Sequence, residues 1–263
     1  MKYLSIIFIC FPFLNFAQFE IVDLTYQEGS YQKEGVIDSS LSRFFMVKSE
    51  NNPELAKKIN EKIFFWYLHA PFDENKDLSW YIPVSTEGGF DYAFDYQILE
   101  NSERFFTFCI KLRHSEYEGV LSQNYVTYNI AVEEIVWSDD IFGLRNPNTQ
   151  VFYDTVSQII VKDLESYMST LDTTTESRKE QFELMQYCLK DFKEGKGAYN
   201  GSFYLTSKGI HYLLPFCEDD YYVKFERTQG FEMLFDYDDP HLPFNPILVK
   251  YAKTGIWEGT KEE

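Results

Sequence analysis

Cysteine is scarce in this sequence, with four residues in 263. None stands in a CxxC pair, so a thiolate zinc site is excluded, and a covalent framework of several disulfides is excluded with it. Four histidines, His69, His114, His211 and His241, never fall four apart with a glutamate between them, so no metalloprotease helix is written in the chain. A GxSxG elbow is missing. Glycine is sparse, and Gly195, Gly197 and Gly201 neither hold the spacing of a nucleotide-binding fingerprint nor follow a strand. Beyond the first seventeen residues no apolar stretch approaches the ~20 residues that span a bilayer. Basic residues are also in deficit, 24 against 42 acidic ones, for a net charge of −18. That balance opposes binding to nucleic acid phosphates or anionic lipid and favours cations, basic peptides or basic proteins.

The amino-terminal segment has the pattern of an export signal. Lys2 precedes an apolar run from Tyr3 to Phe16, Ala17 is small enough to precede a cleavage point, and Gln18 begins the polar chain. The run is too short to anchor the protein as a transmembrane helix. Ile9 stands before Cys10 where a lipoprotein signal needs a small residue, which argues against lipid attachment. Residues 1–17 are therefore expected to be removed, and the mature protein is expected to be periplasmic or secreted. Lys2 is the signal's only charge, so the mature chain carries −19 and retains Cys109, Cys188 and Cys217, enough for one disulfide.

Aromatic residues are abundant, with 25 Phe and 20 Tyr, a composition suited to pleated surfaces. In Glu103–Arg113 alternation puts Phe106, Phe108, Ile110 and Leu112 on one face and Thr107, Cys109 and Lys111 on the other, which predicts a half-buried strand. Tyr125–Trp137, Phe19–Tyr26, Phe90–Leu99, Tyr221–Arg227 and Phe231–Tyr237 are further expected strands. Three helices are expected. The first opens on Asn52-Pro53-Glu54, a capping side chain followed by proline and an acid, and carries Leu55, Ile59 and Ile63 as one stripe. The others cover about 151–171 and 176–192. Asn200-Gly201 and Ser207-Lys208-Gly209 are turn signals of the hairpin type. Strands and helices that do not alternate regularly imply an α+β fold, with antiparallel sheets packed by about three helices in one domain over 18–263. A soft boundary between two packed lobes falls near 138–148.

The densest carboxylate run is Asp236-Tyr237-Asp238-Asp239-Pro240-His241. Asp236, Asp238, Asp239 and His241 are the only candidates for holding a cation, calcium being the ion that carboxylate oxygens suit. The run lacks the glycine and distal glutamate of an EF-hand, and Asp-Asp-Pro is equally an ordinary strand-ending turn. Glu218-Asp219-Asp220 joins two expected strands. With 42 acids the sequence nominates no catalytic pair. The Tyr221-Tyr222 pair suits sheet packing better than stacking on a sugar. No catalytic residue and no cofactor site is assigned.

Several segments, in order, resemble one family. Asn52-Pro53-Glu54-Leu55-Ala56-Lys57-Lys58-Ile59-Asn60 is similar to the "NP-x-hydrophobic-x-x-x-IN" opening of extracytoplasmic domains of the RsiV and PdaC type. Tyr96–Lys111 resembles the strand pair that follows, and Ile135–Phe142 the segment before the next helix. Phe203–Tyr212 resembles the "F-x-L-x-x-x-G-hydrophobic" hairpin. The chain departs from the pattern at 220–224, where Asp220-Tyr221-Tyr222-Val223-Lys224 lacks the glycine of a Pro-Tyr-x-x-Gly stretch. The family includes lysozyme-binding sensors and modules attached to peptidoglycan deacetylases. The resemblance implies a non-catalytic binding module of the cell envelope, its ligand a cell-wall component such as peptidoglycan or a basic protein such as lysozyme. The alternative is an envelope hydrolase acting on glycan or peptide through dispersed carboxylates. No partner-contacting residue is carried over.

Overall fold

Two antiparallel strands open the described part of the chain. β1 (Glu20–Gln27) pairs along its length with β4 (Leu41–Lys48), and the short hairpin β2 (Tyr31–Lys33) and β3 (Val36–Asp38) lies between them in sequence. The structure is a computed structural model that describes residues 18–27, 31–33, 36–38, 41–81, 92–114, 120–143, 149–214 and 231–259. The expected signal segment, the expected strand Tyr221–Arg227, Glu218-Asp219-Asp220 and Cys217 lie outside the described residues.

α1 (Pro53–Leu68) begins as its sequence requires. The Asn52 side chain accepts the Leu55 amide at 3.2 Å, and Pro53 occupies the first turn, where a missing N–H costs nothing. Leu55, Ile59 and Ile63 are buried in one cluster with Phe106, Phe108 and Ile110, the packing expected from the helix stripe. Asn60, buried on the same face, locks the helix to β4: its side chain accepts the Val47 amide at 2.8 Å and donates to the Val47 carbonyl at 2.9 Å. A short α2 (Leu78–Tyr81) adds Tyr81 against Phe64.

The central sheet has the order β5 (Tyr92–Asn101), β6 (Phe105–His114), β7 (Val120–Asn129), β8 (Glu134–Ile135), all antiparallel. β6 is buried on both faces. Phe106, Phe108 and Ile110 face α1, while Phe105, Thr107 and Cys109 are covered from the other side. The alternation of the strand is correct, but its second face is not solvated, because a second layer is laid over it. The expected strand Tyr125–Trp137 is interrupted. Residues 130–133 turn, Glu133 takes φ 60°, and the chain returns as the two-residue β8.

The second layer follows. α3 (Ser138–Phe142) leads to α4 (Thr149–Thr170) and α5 (Glu176–Lys193), then a 3-10 turn at Gly197–Asn200. A three-stranded sheet β9 (Ser202–Thr206), β10 (Gly209–Leu214) and β11 (Phe231–Phe235) has β10 at its centre, and α6 (Pro246–Thr254) closes the described chain. Phe152 sits at the middle of this second core, with the rings of Phe142, Phe203, Tyr212 and Phe235 within 5.4 Å of its own. The fold is α+β, as expected, with α2, α3 and α6 in addition to the three long helices. The first cluster ends at Ile135, and the second takes Phe105 from β6 and then the chain from Ile141 onward.

Asn200-Gly201 makes no hairpin. It ends the 3-10 turn, and its glycine serves a close approach: a Cβ at Gly201 would lie 2.1 Å from Tyr212 Cζ. The hairpin turn is at Ser207-Lys208, as the second signal indicated.

Candidate functional site

Two of the four cation candidates are spent on backbone turns and a third on an ion pair. Asp236 accepts the Asp238 amide at 3.0 Å, Asp239 accepts the His241 amide at 2.9 Å, and Asp238 pairs with Lys253. These are the side-chain turns expected of Asp in a strand exit. The structure does not bring the four side chains together around a common point, and among the described residues no group of three or more His, Cys, Asp or Glu is placed to hold a metal ion.

A second cluster gathers on β9 to β11. Thr206 Oγ1 lies 3.1 Å from His211 Nε2, and His211 Nδ1 lies 3.3 Å from Glu232 Oε1. The connectivity is that of a nucleophile, a base and an orienting carboxylate, but the hydroxyl is buried and the ring covered, with only Glu232 exposed. Thr206 is buried, its Oγ1 accepts the Lys208 amide at 3.2 Å, and the Tyr204 ring stacks on the imidazole at 4.1 Å. With the amide donating to Thr206, the hydroxyl donates onward to Nε2 and Nδ1–H faces the carboxylate. Burial holds the His211 pKa below its ordinary value, against the raising effect of Glu232. The arrangement pins the β9–β10 turn rather than presenting a nucleophile to a substrate.

The third constellation is open to solvent. α1 turns 100° per residue, so Phe65 and Trp66 fall outside the stripe centred between Ile63 and Phe64. They are 64% and 38% exposed, and Trp137, where β8 gives way to α3, is 60% exposed. Trp137 is held there by Asp140, whose carboxylate accepts the Trp137 amide at 2.7 Å. The Trp66 and Trp137 rings lie 6.0 Å apart at 50° and form one wall of a cleft of about 290 Å³. Tyr67, Asn124, Tyr125, Ser202 and Phe203 line the rest, together with Val126 and the segment Ile135–Ser138. No lining residue is a carboxylate or a histidine. Beneath the cleft lies the buried thiol of Cys109, pushed up by burial and touching Tyr125. Burial also pushes the Tyr67 hydroxyl up to about 12, so it stays protonated and available as a donor. Large exposed aromatic side chains gathered at one concavity mark an interaction site.

The sequence displayed both tryptophans without pointing to the cleft. Trp66 lies beside a helix stripe and Trp137 at the end of an apolar run, so each reads as packing. Only the meeting of α1 with the β8 exit makes them neighbours.

Cys188 is disulfide-bonded, and Cys109 is a free buried thiol. Among the described residues no helix is long and apolar enough to cross a membrane.

No family model and no curated protein matches the sequence. The fold is similar to that of a DUF3298 family member from Bacteroides fragilis, with a TM-score of 0.60 at 10% identity over 91% of this chain and 99% of that one. A DUF3298 family protein from Pseudomonas aeruginosa aligns with a TM-score of 0.49 at 11% identity, over 87% and 94% of the two chains. At this identity the likeness is one of fold, and it is consistent with the resemblance to the RsiV type of extracytoplasmic domain.

Proposed function

We propose that this protein is an exported, non-catalytic binding module of the cell envelope that captures a basic protein, lysozyme being the leading case, at the Trp66–Trp137 cleft. The observation that carries this reading is the composition of the cleft. It offers exposed aromatic anchors and neutral hydrogen-bonding groups, and its lining contains no carboxylate or histidine. The chain's net charge of −18 favours a basic partner by long-range attraction. Export is supported by the amino-terminal apolar run and by the disulfide at Cys188, since such bonds persist in oxidising compartments.

Calorimetric titration with lysozyme at about 0.15 M salt, where charges beyond ~8 Å are screened, tests the reading. Saturable one-to-one binding is expected, and a charge-matched unrelated acidic protein is expected to show none. Peptidoglycan fragments form a second arm, because tryptophan faces also stack on sugars; saturable binding of fragments alone would make the ligand a cell-wall component. Absence of binding in both arms, with turnover of a chromogenic glycan or peptide, would replace the module by a hydrolase.

A further inference from the structure

We infer that the outer edge of β7 receives an extended segment of a polypeptide partner, which pairs with it as an added strand inside the aromatic cleft. The inference rests on the reading of that cleft as a binding face and specifies how the partner sits in it.

Among the described residues the edge is open because β8 is short. It pairs Tyr128 with Ile135 and Asn129 with Glu134, and the Val136 amide adds a last bond to the Thr127 carbonyl at 2.9 Å. The Trp137 amide then turns to Asp140 and α3 carries the chain away. β7 continues to Val120, and among the described residues no strand pairs with its outer side beyond Thr127. The direction of its free groups follows from register. Thr107 and Thr127 stand opposite each other with hydroxyls 3.1 Å apart, the close approach of a pair whose peptide groups point away from one another. Thr127 thus turns its peptide groups outward, as its bond to Val136 confirms. With a period of two, Tyr125 and Gln123 present their N–H and C=O on the same open edge.

The surroundings fit a strand. Trp66 and Tyr67 of α1 wall one face of the edge, Ser202 and Phe203 of β9 wall the other, and Trp137 stands at the end. Alternate side chains of an incoming segment would meet the two walls in turn, which is how strand addition gains specificity. β7 itself, VLSQNYVTYN, contains no charged residue and no proline. Exposed edges are ordinarily guarded by such residues, so this one is left unguarded. A second copy of the chain would bring another net charge of −18 to the groove, where Asp139 is exposed beside its closed end and Glu134 is exposed in an ion pair with Lys62. The charge selects a basic segment, with apolar or aromatic residues at alternate positions.

The test uses the mature protein against a library of short random peptides, with Gln123→Pro and Gln123→Ala as paired variants. The Gln123 amide points outward, so proline removes a donor from the open edge and leaves the β6 pairing in place; alanine removes the side chain alone. The expected result is enrichment of Lys- and Arg-containing peptides with alternating apolar residues. An enriched peptide, once synthesised, should bind Gln123→Ala like the wild type, lose at least about tenfold on Gln123→Pro, and slow amide exchange at Gln123 and Tyr125 in the wild type. The exchange measurement stands even if Gln123→Pro fails to fold. Equal binding to Gln123→Pro, with no protection at Gln123 and Tyr125 but loss on Trp137→Ala, would overturn strand addition and keep the cleft as the binding face. No enriched peptide would also overturn it, and Trp137-dependent binding of an oligosaccharide would then assign the cleft to a glycan. Concentration-dependent dimerisation abolished by Gln123→Pro would assign the edge to a second copy instead. Indifference of every ligand to Trp137→Ala would remove the binding face itself.

Discussion

Thr107 and Thr127 face each other across β6 and β7 with hydroxyls 3.1 Å apart, and between them they hold the peptide groups of Leu205 on β9. Thr107 donates to the Leu205 carbonyl at 2.6 Å, and the Leu205 amide donates to Thr127 Oγ1 at 2.9 Å. With one proton on each hydroxyl, the remaining proton of Thr127 closes a ring of three bonds. All of these groups are buried. The ring joins the central sheet to the second layer, so each threonine is a structural requirement rather than a tolerated polar residue.

Thr127→Val is therefore expected to cost about 1–3 kcal/mol, because it strands a buried amide without an acceptor. Chemical denaturation measures it. An unchanged midpoint would show that the Leu205 amide finds another partner.

Ile59→Ala is expected to cost ~2–5 kcal/mol, since Ile59 is buried between α1 and the central sheet. Lys58→Ala removes an exposed ion pair with Glu133 and is expected to leave the midpoint close to wild type. Equal midpoints for the two variants would contradict the packing of α1.

Much of this was legible in the sequence. Asn52-Pro53 marked the start of α1, and α4 and α5 fall within two residues of their expected limits. The same signal at Asn245-Pro246 opens α6, where the Asn245 side chain accepts the Ile247 amide at 3.0 Å; nine residues carry too short a stripe to stand out beside the Asp-rich turn. β4 left no period-two trace, because Phe44, Phe45, Met46 and Val47 are all buried and a strand covered on both faces reads as a continuous apolar run. The cleft was hidden for a different reason. It is made by residues from α1, β7, β8 and β9, and no local pattern encodes that meeting.

His211 gives a pH dependence with a definite sign. Burial lowers its pKa in the folded state, so the unfolded chain binds the proton more readily. Its contribution is complete above the ordinary histidine value of about 6.5 and is lost as pH falls below it toward the folded value. Glu232 and Lys208 are the charged groups that act on the ring, with Tyr204 stacked on its face and Thr206 at Nε2. Thermal midpoints from about pH 7 to pH 5 should fall less steeply in His211→Gln than in the wild type. Parallel curves would show that the ring protonates as freely in the folded state.

The two described cysteines should separate by chemistry. Cys109 is buried and its thiol is pushed up, so it should react with a thiol reagent only after unfolding. Reduction should lower the thermal midpoint through the bond at Cys188. Rapid labelling of Cys109 in the native protein would contradict the closed packing beneath the cleft.

Calorimetry of Trp137→Ala against the wild type, with lysozyme as the titrant at about 0.15 M salt, decides whether the aromatic cleft is the binding face. Trp137 is 60% exposed, so its truncation should leave the fold intact. Saturable binding to the wild type and a loss of at least about tenfold on Trp137→Ala are expected, as for an aromatic anchor. Wild-type binding that persists unchanged in Trp137→Ala would contradict the cleft as the binding face.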